Sequence, residues 1–142
     1  MRKTAKREFV DPSIAVAALG VNPDYFKTDL LTFGFIFETL CIRDFRVYSQ
    51  SLGGKLSYYH DKTGLEADAV LHLNDGRYAL IEFKLGQKGI DDGAKHLNKI
   101  EELCNNSETT NSPDLKIIIT ATQFAYKRPD GVFVIPIGCL KE

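Results

Sequence analysis

Cysteine is scarce in this chain, net charge is almost absent, and no hydrophobic run is long. Cys41, Cys104 and Cys139 stand far apart and none forms a C-x-x-C pair, which argues against a disulfide framework or a thiolate zinc site and fits a reducing cytoplasm. The formal charge of -1 leaves no global field of either sign and argues against a strong free-standing nucleic-acid binder. The opening "MRKTAKREFVDPSIAVAALG" has the basic start and small residues of a signal peptide, but its apolar run is short and Asp11 and Pro12 interrupt it. The oily "LLTFGFIFETLCI" carries Glu38 and is followed at once by Arg43 and Asp44, well short of a membrane span. The expectation is a soluble, cytoplasmic protein with no membrane partner. There is no internal repeat and no serine with a histidine and acid placed for a hydrolase triad. "SLGGKLS" lacks the leading glycine and the hydroxyl residue after lysine that a phosphate-binding P-loop needs, so no ATP site is expected from these residues.

What is present reads as one domain over residues 1–142, 44% hydrophobic and 26% charged. "VDPSIAVAAL" predicts a short helix stopped by Gly20, and "NPDYFKTDLL" a helical turn. A longer helix is expected from about Asp29 to about Ser49, with Leu31, Phe35, Ile42 and Phe45 inward and Glu38 on or beside that stripe. Three strands joined by "DKTG" and "NDG" turns predict an antiparallel meander. "KGIDDGAKHLNKIEELCNN" predicts a helix with Ile90, Leu97, Ile100 and Leu103 inward and Lys95 and Lys99 outward. After a polar loop, "LKIIITAT" reads as a strand buried on both faces. "GVFVIPIGCL" reads as a last strand that Pro136 pushes toward an edge or its own end. The fold class is α/β around a mixed sheet, an antiparallel meander plus a crossover helix.

Basic residues cluster in "RKTAKR" and at Lys84, Lys88, Lys95 and Lys99. Strand alternation puts Tyr78, Leu80, Glu82 and Lys84 on one face and Ala79, Ile81, Phe83 and Leu85 on the other, and it places Glu66 with Asp68. Pairing Leu73 with about Tyr78 across the turn brings Asp68 opposite roughly Lys84, within a residue or two of Glu82. Converging carboxylates repel one another, which implies a cation between them, and an oxygen-only donor set favours Mg²⁺ or Mn²⁺ over zinc. Lys84 would then hold or help deprotonate a water and stabilise charge on a phosphate under attack. The same side chains would also serve as ordinary cross-strand ion pairs on a half-solvated sheet. His60, His72 and His96 share no ligand spacing. Lys95, His96 and Lys99 would form a solvated helix face or touch a phosphate backbone. Tyr58, Tyr59 and Tyr78 read as sheet packing.

An acidic helix residue, an aspartate on one hairpin strand and Glu-x-Lys on the next resemble the PD-(D/E)xK nuclease superfamily. More closely, "FVDPSIAVAALG", "GFIFETL", "GLEADAVL", "YALIEFKLG" and "DGVFVIPI" resemble a domain-of-unknown-function family found C-terminal to the ATPase module of prokaryotic AAA-type ATPases. That resemblance implies a restriction-endonuclease-like α/β/α sandwich, detached from a larger ATPase protein whose N-terminal module would be the partner and would alone bind ATP. It implies Glu38 as the helix carboxylate, Asp68 as the main metal ligand, Glu82 as the second ligand and Lys84 as the catalytic lysine. The main-chain carbonyl of Phe83 would complete the coordination, with Glu66 as an extra acid. Where the family has a bulky aromatic and an arginine before the hairpin turn, this chain has Tyr59 and His60, and Ala67 replaces a larger apolar residue.

Two functions follow as expectations. One is a Mg²⁺-dependent hydrolase that cuts DNA or RNA phosphodiesters. The other is a catalytically silent nuclease-fold module that binds nucleic acid or partner proteins and regulates the ATPase. The residues leave enzyme status and oligomeric state open.

Overall fold

The computed structural model describes residues 9–141; the basic "RKTAKR" cluster lies outside them. Among the described residues the chain forms four α-helices and one six-stranded mixed sheet. Helices α1 (Pro12–Leu19), α2 (Tyr25–Thr28) and α3 (Leu30–Ser51) come first, then strands β1 (Lys55–His60), β2 (Glu66–His72) and β3 (Tyr78–Lys84). Helix α4 (Ile90–Asn105) leads to β4 (Leu115–Thr120), β5 (Tyr126–Lys127) and β6 (Phe133–Pro136).

Helix limits follow local chemistry. Asp11 caps α1 by accepting the Ser13 N–H at 2.8 Å, with Pro12 in the first turn, and the chain stops at Gly20. Asp29 caps α3, accepting the Thr32 N–H at 3.0 Å. Arg43 on α3 ties back to the α1 cap, Nη1 to Asp11 Oδ2 at 2.8 Å.

The strand order is β1-β2-β3-β4-β6-β5. The first three strands form the expected antiparallel meander, and α4 crosses over to bring β4 parallel to β3. β6 is parallel to β4 and lies inside the sheet; Pro136 ends that strand, and the edge belongs to the two-residue β5, which the sequence pattern did not disclose. Helices cover both faces. On one, Ile90, Ala94, Leu97 and Ile100 of α4 pack on Val70, Leu80, Ile118 and Val134. On the other, Phe37, Cys41, Ile42 and Phe45 of α3 pack on Ala69, Ile81, Phe83 and Ile119. Lys116, almost buried on β4, is held by Asn98 Oδ1 at 2.7 Å and Glu101 Oε2 at 2.5 Å of α4.

Three expectations are corrected. Leu31 and Phe35 of α3 do not face the core: they are 73% and 62% exposed, and Phe37 and Cys41 are buried instead. The part of α3 that lies over the sheet begins at Phe37, so the stripe that packs starts later than the hydrophobic residues do. Leu103 is exposed, and Cys104 packs against the core beside Tyr78. The β2–β3 hairpin pairs His72 with Tyr78, one residue from the expected register. The Leu73 N–H donates to the Arg77 carbonyl at 2.8 Å, so the loop is Asn74–Gly76, with Gly76 at φ 89°. Among the described residues, no helix is long and apolar enough to cross a membrane.

The α3 correction is testable by denaturant unfolding. Phe37→Ala should cost roughly 3–5 kcal/mol, as removal of a buried aromatic does, whereas Phe35→Ala should change stability by about 0.5 kcal/mol or less. Equal losses would put Phe35 back in the core.

Candidate acid and lysine site

β3 is a central strand, antiparallel to β2 on one side and parallel to β4 on the other. At its carboxyl end the chain turns away toward α4, and such switch points open a crevice in α/β sheets. Glu82 and Lys84 sit there on the α4 face, in line with Leu80, as strand alternation predicts.

Asp68 arrives by a different route. Ser57 pairs with Val70 but Tyr59 pairs with Ala67, so Asp68 and Ala69 together oppose Tyr58 alone. This β-bulge re-aims the strand, as bulges near functional sites do, and it breaks the simple alternation that grouped Glu66 with Asp68. Ala67 joins the α4 layer and Ala69 the α3 layer. Asp68 Oδ2 accepts the Phe83 N–H at 2.9 Å, so the side chain takes the place of a ladder carbonyl and is pinned against the β3 backbone between Glu82 and Lys84.

Lys84 Nζ lies 2.5 Å from Glu82 Oε2 and 4.0 Å from Asp68 Oδ2. The Glu82 side chain is only 2% exposed, and its Oε1 is buried without a hydrogen-bond partner. Burial, reinforced by the Asp68 charge and opposed by Lys84, pushes the Glu82 carboxyl up to about 7. Burial pulls the Lys84 ammonium down, but Glu82, Asp68 and Glu38 together outweigh it and hold the group above its ordinary value. The lysine stays charged while its nearest carboxylate approaches protonation near neutral pH.

The helix layer is shaped to admit the lysine. A Cβ on Gly93 of α4 would meet Lys84 Cε at 3.2 Å, and one on Gly89 would meet Lys84 Cδ at 3.0 Å. The two glycines form a notch for the lysine stem. An isolated glycine inside a helical pattern is a signal of close approach that was legible in "GIDDGAKH".

The expected residues therefore divide. Asp68, Glu82, Lys84 and the Phe83 main chain converge. Glu38, half-buried on α3, lines the same cleft and acts electrostatically on Lys84. Glu66 pairs outward with His60 Nδ1 at 3.3 Å, and Lys95 and Lys99 pair along α4 with Asp92 and Glu102, each at 3.0 Å. His72 is satisfied by Ser57 Oγ at 3.0 Å. His96 was missed as a neighbour: its Nδ1 lies 4.0 Å from Glu82 Oε1. No linear spacing connects it to Glu82, since a helix and a strand must pack before the two meet.

The donor chemistry would suit a hard cation: the Asp68 and Glu82 carboxylates, the latter with its buried Oε1 lacking a hydrogen-bond partner, and the Phe83 main-chain carbonyl. Mg²⁺ is commonly held by only one or two carboxylates, with waters and substrate phosphate completing its shell. Among the described residues no group of three or more His, Cys, Asp or Glu side chains is gathered to hold a metal ion.

Residues 33–140 match the family described as Domain of unknown function (DUF4143). The chain belongs to this family. Comparison with curated proteins and with solved structures found no match. The DUF4143 match contains every residue of the cluster, together with α4 and the whole sheet, whereas α1 and α2 precede it.

The raised Glu82 value has a sign for stability. A carboxyl that binds its proton more tightly folded than unfolded stabilises the fold fully below its ordinary value near 4.5, and that contribution is lost as pH rises through about 7. The stability of the native DUF4143 domain relative to Glu82→Gln should therefore fall between pH 5 and pH 8, by on the order of 3 kcal/mol. Paired denaturant melts measure it; a difference that stays constant over the range would refute the assignment.

Proposed function

We propose that this domain is a Mg²⁺- or Mn²⁺-dependent phosphodiesterase acting on nucleic acid. The observation that carries the reading is the buried Glu82 carboxylate, one oxygen paired with Lys84 and the other without a hydrogen-bond partner. Leaving a carboxylate oxygen buried and unsatisfied is costly, and a cation or a water brought in with substrate would relieve it. Asp68, Glu82 and the Phe83 carbonyl would hold the ion, which when bound would act as a Lewis acid and lower the pKa of a water. Lys84 would orient the attacking water and neutralise charge on the non-bridging phosphate oxygens. In the hydrolysis the water oxygen bonds to phosphorus, the bond to the leaving sugar oxygen breaks, and that oxygen takes up a proton. Glu38, at the cleft wall, would bias the lysine toward its charged form.

The layering of α3 and α4 on opposite faces of a mixed sheet supports a restriction-endonuclease-like sandwich, and the Asp68, Glu82 and Lys84 pattern supports kinship with PD-(D/E)xK nucleases. Resemblance also supports a companion AAA-type ATPase module, which would bind the ATP. Free thiols at Cys41, Cys104 and Cys139 support a cytoplasmic setting.

A second reading is favoured by one observation: the Lys84 ammonium lies directly against Glu82, so the pair already compensates itself. On that reading the domain is a silent module that binds nucleic acid or regulates the ATPase.

Cleavage of labelled DNA and RNA with Mg²⁺ or Mn²⁺ separates the two. The phosphodiesterase reading expects Lys84→Ala and Asp68→Asn to lower turnover by at least about 100-fold. Gly93→Ala should lower it by about tenfold or more by displacing Lys84 Cε, with melting close to that of the native domain. No cleavage of any substrate, with no calorimetric binding of either ion, would leave the silent module.

A further inference from the structure

Among the described residues, Glu82 Oε1 is the one side-chain oxygen or nitrogen that is buried without a hydrogen-bond partner. Its sister oxygen, Oε2, is taken by Lys84 at 2.5 Å, so whatever satisfies Oε1 can leave that ion pair intact. Across from it stands His96, with Nδ1 4.0 Å away. At that distance the imidazole makes no hydrogen bond, and the carboxylate oxygen stays orphaned.

The fold brings the histidine there. Helix α4 buries Gly93, Leu97 and Ile100 against the sheet, and His96 follows Gly93 by one turn at the margin of that face. A Cβ on Gly93 would lie 3.2 Å from Lys84 Cε and 3.6 Å from Glu82 Cβ, so the missing side chain lets α4 approach β3 at the carboxylate. The His96 side chain is 50% exposed. It therefore meets Glu82 from the solvent side, where its ring has room to turn.

A carboxylate oxygen and an imidazole that face each other across a gap too wide for a hydrogen bond are placed for a shared cation. Neighbouring ligands of one small divalent ion lie roughly 3 Å apart, so a swing of the ring by about 1 Å would suffice. The described residues hold no preformed group of three, and this swing would complete one with Asp68 and Glu82. Ligand type then sets the ion. Mg²⁺ keeps oxygen ligands and sheds water reluctantly, whereas imidazole suits transition ions, and Mn²⁺ is the transition ion that also takes carboxylate and carbonyl oxygen.

We infer that His96 is a ligand of the ion held by Asp68 and Glu82, and that it makes the site select Mn²⁺ over Mg²⁺. The inference rests on the metal-dependent reading of the acid cluster, and it names the ion for it.

Titration calorimetry and pulsed electron paramagnetic resonance of the domain with each ion test it without requiring turnover. His96→Ala should weaken Mn²⁺ binding by about tenfold or more while leaving Mg²⁺ affinity within about twofold. Bound Mn²⁺ should show spin-echo modulation from a coordinated imidazole nitrogen in the native domain and none in the variant. A histidine that merely props α4 would lower both affinities alike and give no nitrogen signal. Melting of the metal-free proteins checks the fold, and His96→Gln, which keeps a polar side chain of similar reach, carries the same expectation where the alanine variant melts low. Absence of nitrogen modulation in the native domain, its persistence in both variants, or equal losses of Mg²⁺ and Mn²⁺ binding would overturn the inference. Mn²⁺ held through His96 without cleavage of DNA or RNA would sink the phosphodiesterase and spare the ligand; cleavage with no nitrogen signal would do the reverse.

Discussion

A carboxylate buried on a central strand is the constraint around which this end of the molecule is arranged. Glu82 lies between β2 and β4 and under α4, where an unpaired charge would be prohibitively unfavourable. Lys84 compensates it from two residues further along the same face, at 2.5 Å. Reaching it requires the lysine stem to run beneath a helix, and the helix allows this only because Gly89 and Gly93 leave side-chain volume empty. Asp68 adds a second negative charge and opposes ionisation of the first. The cluster is thus poised between charge states near neutral pH, a condition common to sites that move protons or bind cations.

The sheet supplies the opening. An antiparallel meander needs only short turns, but the step from β3 to parallel β4 demands a long crossover, and α4 provides it. The chain therefore leaves the sheet at the end of β3, so Glu82 and Lys84 stand beside a crevice and not inside a continuous wall. The bulge at Asp68 and Ala69 does complementary work on the neighbouring strand. It sacrifices regular pairing, and the Asp68 side chain recovers the Phe83 N–H. The same hydrogen bond fixes the carboxylate toward the lysine.

Helix α3 has two physical roles along its length. From Phe37 onward it buries Phe37, Cys41, Ile42 and Phe45 on the sheet. Before Phe37 it does not pack on the sheet: Phe33 contacts Phe26 of α2 with ring centroids 5.5 Å apart, and Leu31 and Phe35 remain at the surface. Glu38 lies at the boundary between these regimes, half-buried and close enough to act on Lys84.

Periodicity and turn chemistry determined the helices, the meander, the crossover and the face shared by Leu80, Glu82 and Lys84, because a repeat of 3.6 or 2 and a cap or glycine turn are local properties of the chain. The sequence therefore also nominated Asp68, Glu82 and Lys84 as a cluster. It misplaced Leu31 and Phe35 because hydrophobic spacing states which face of a helix is apolar, not how far along its axis a sheet extends beneath it. It missed the Asp68 bulge and the one-residue change in register because these depend on pairing across strands, and it missed His96 because that contact exists only after α4 packs on β3. Burial alone, the joint product of two helices and two neighbouring strands, decided that Glu82 would be a strained carboxylate and not an ordinary surface ion pair.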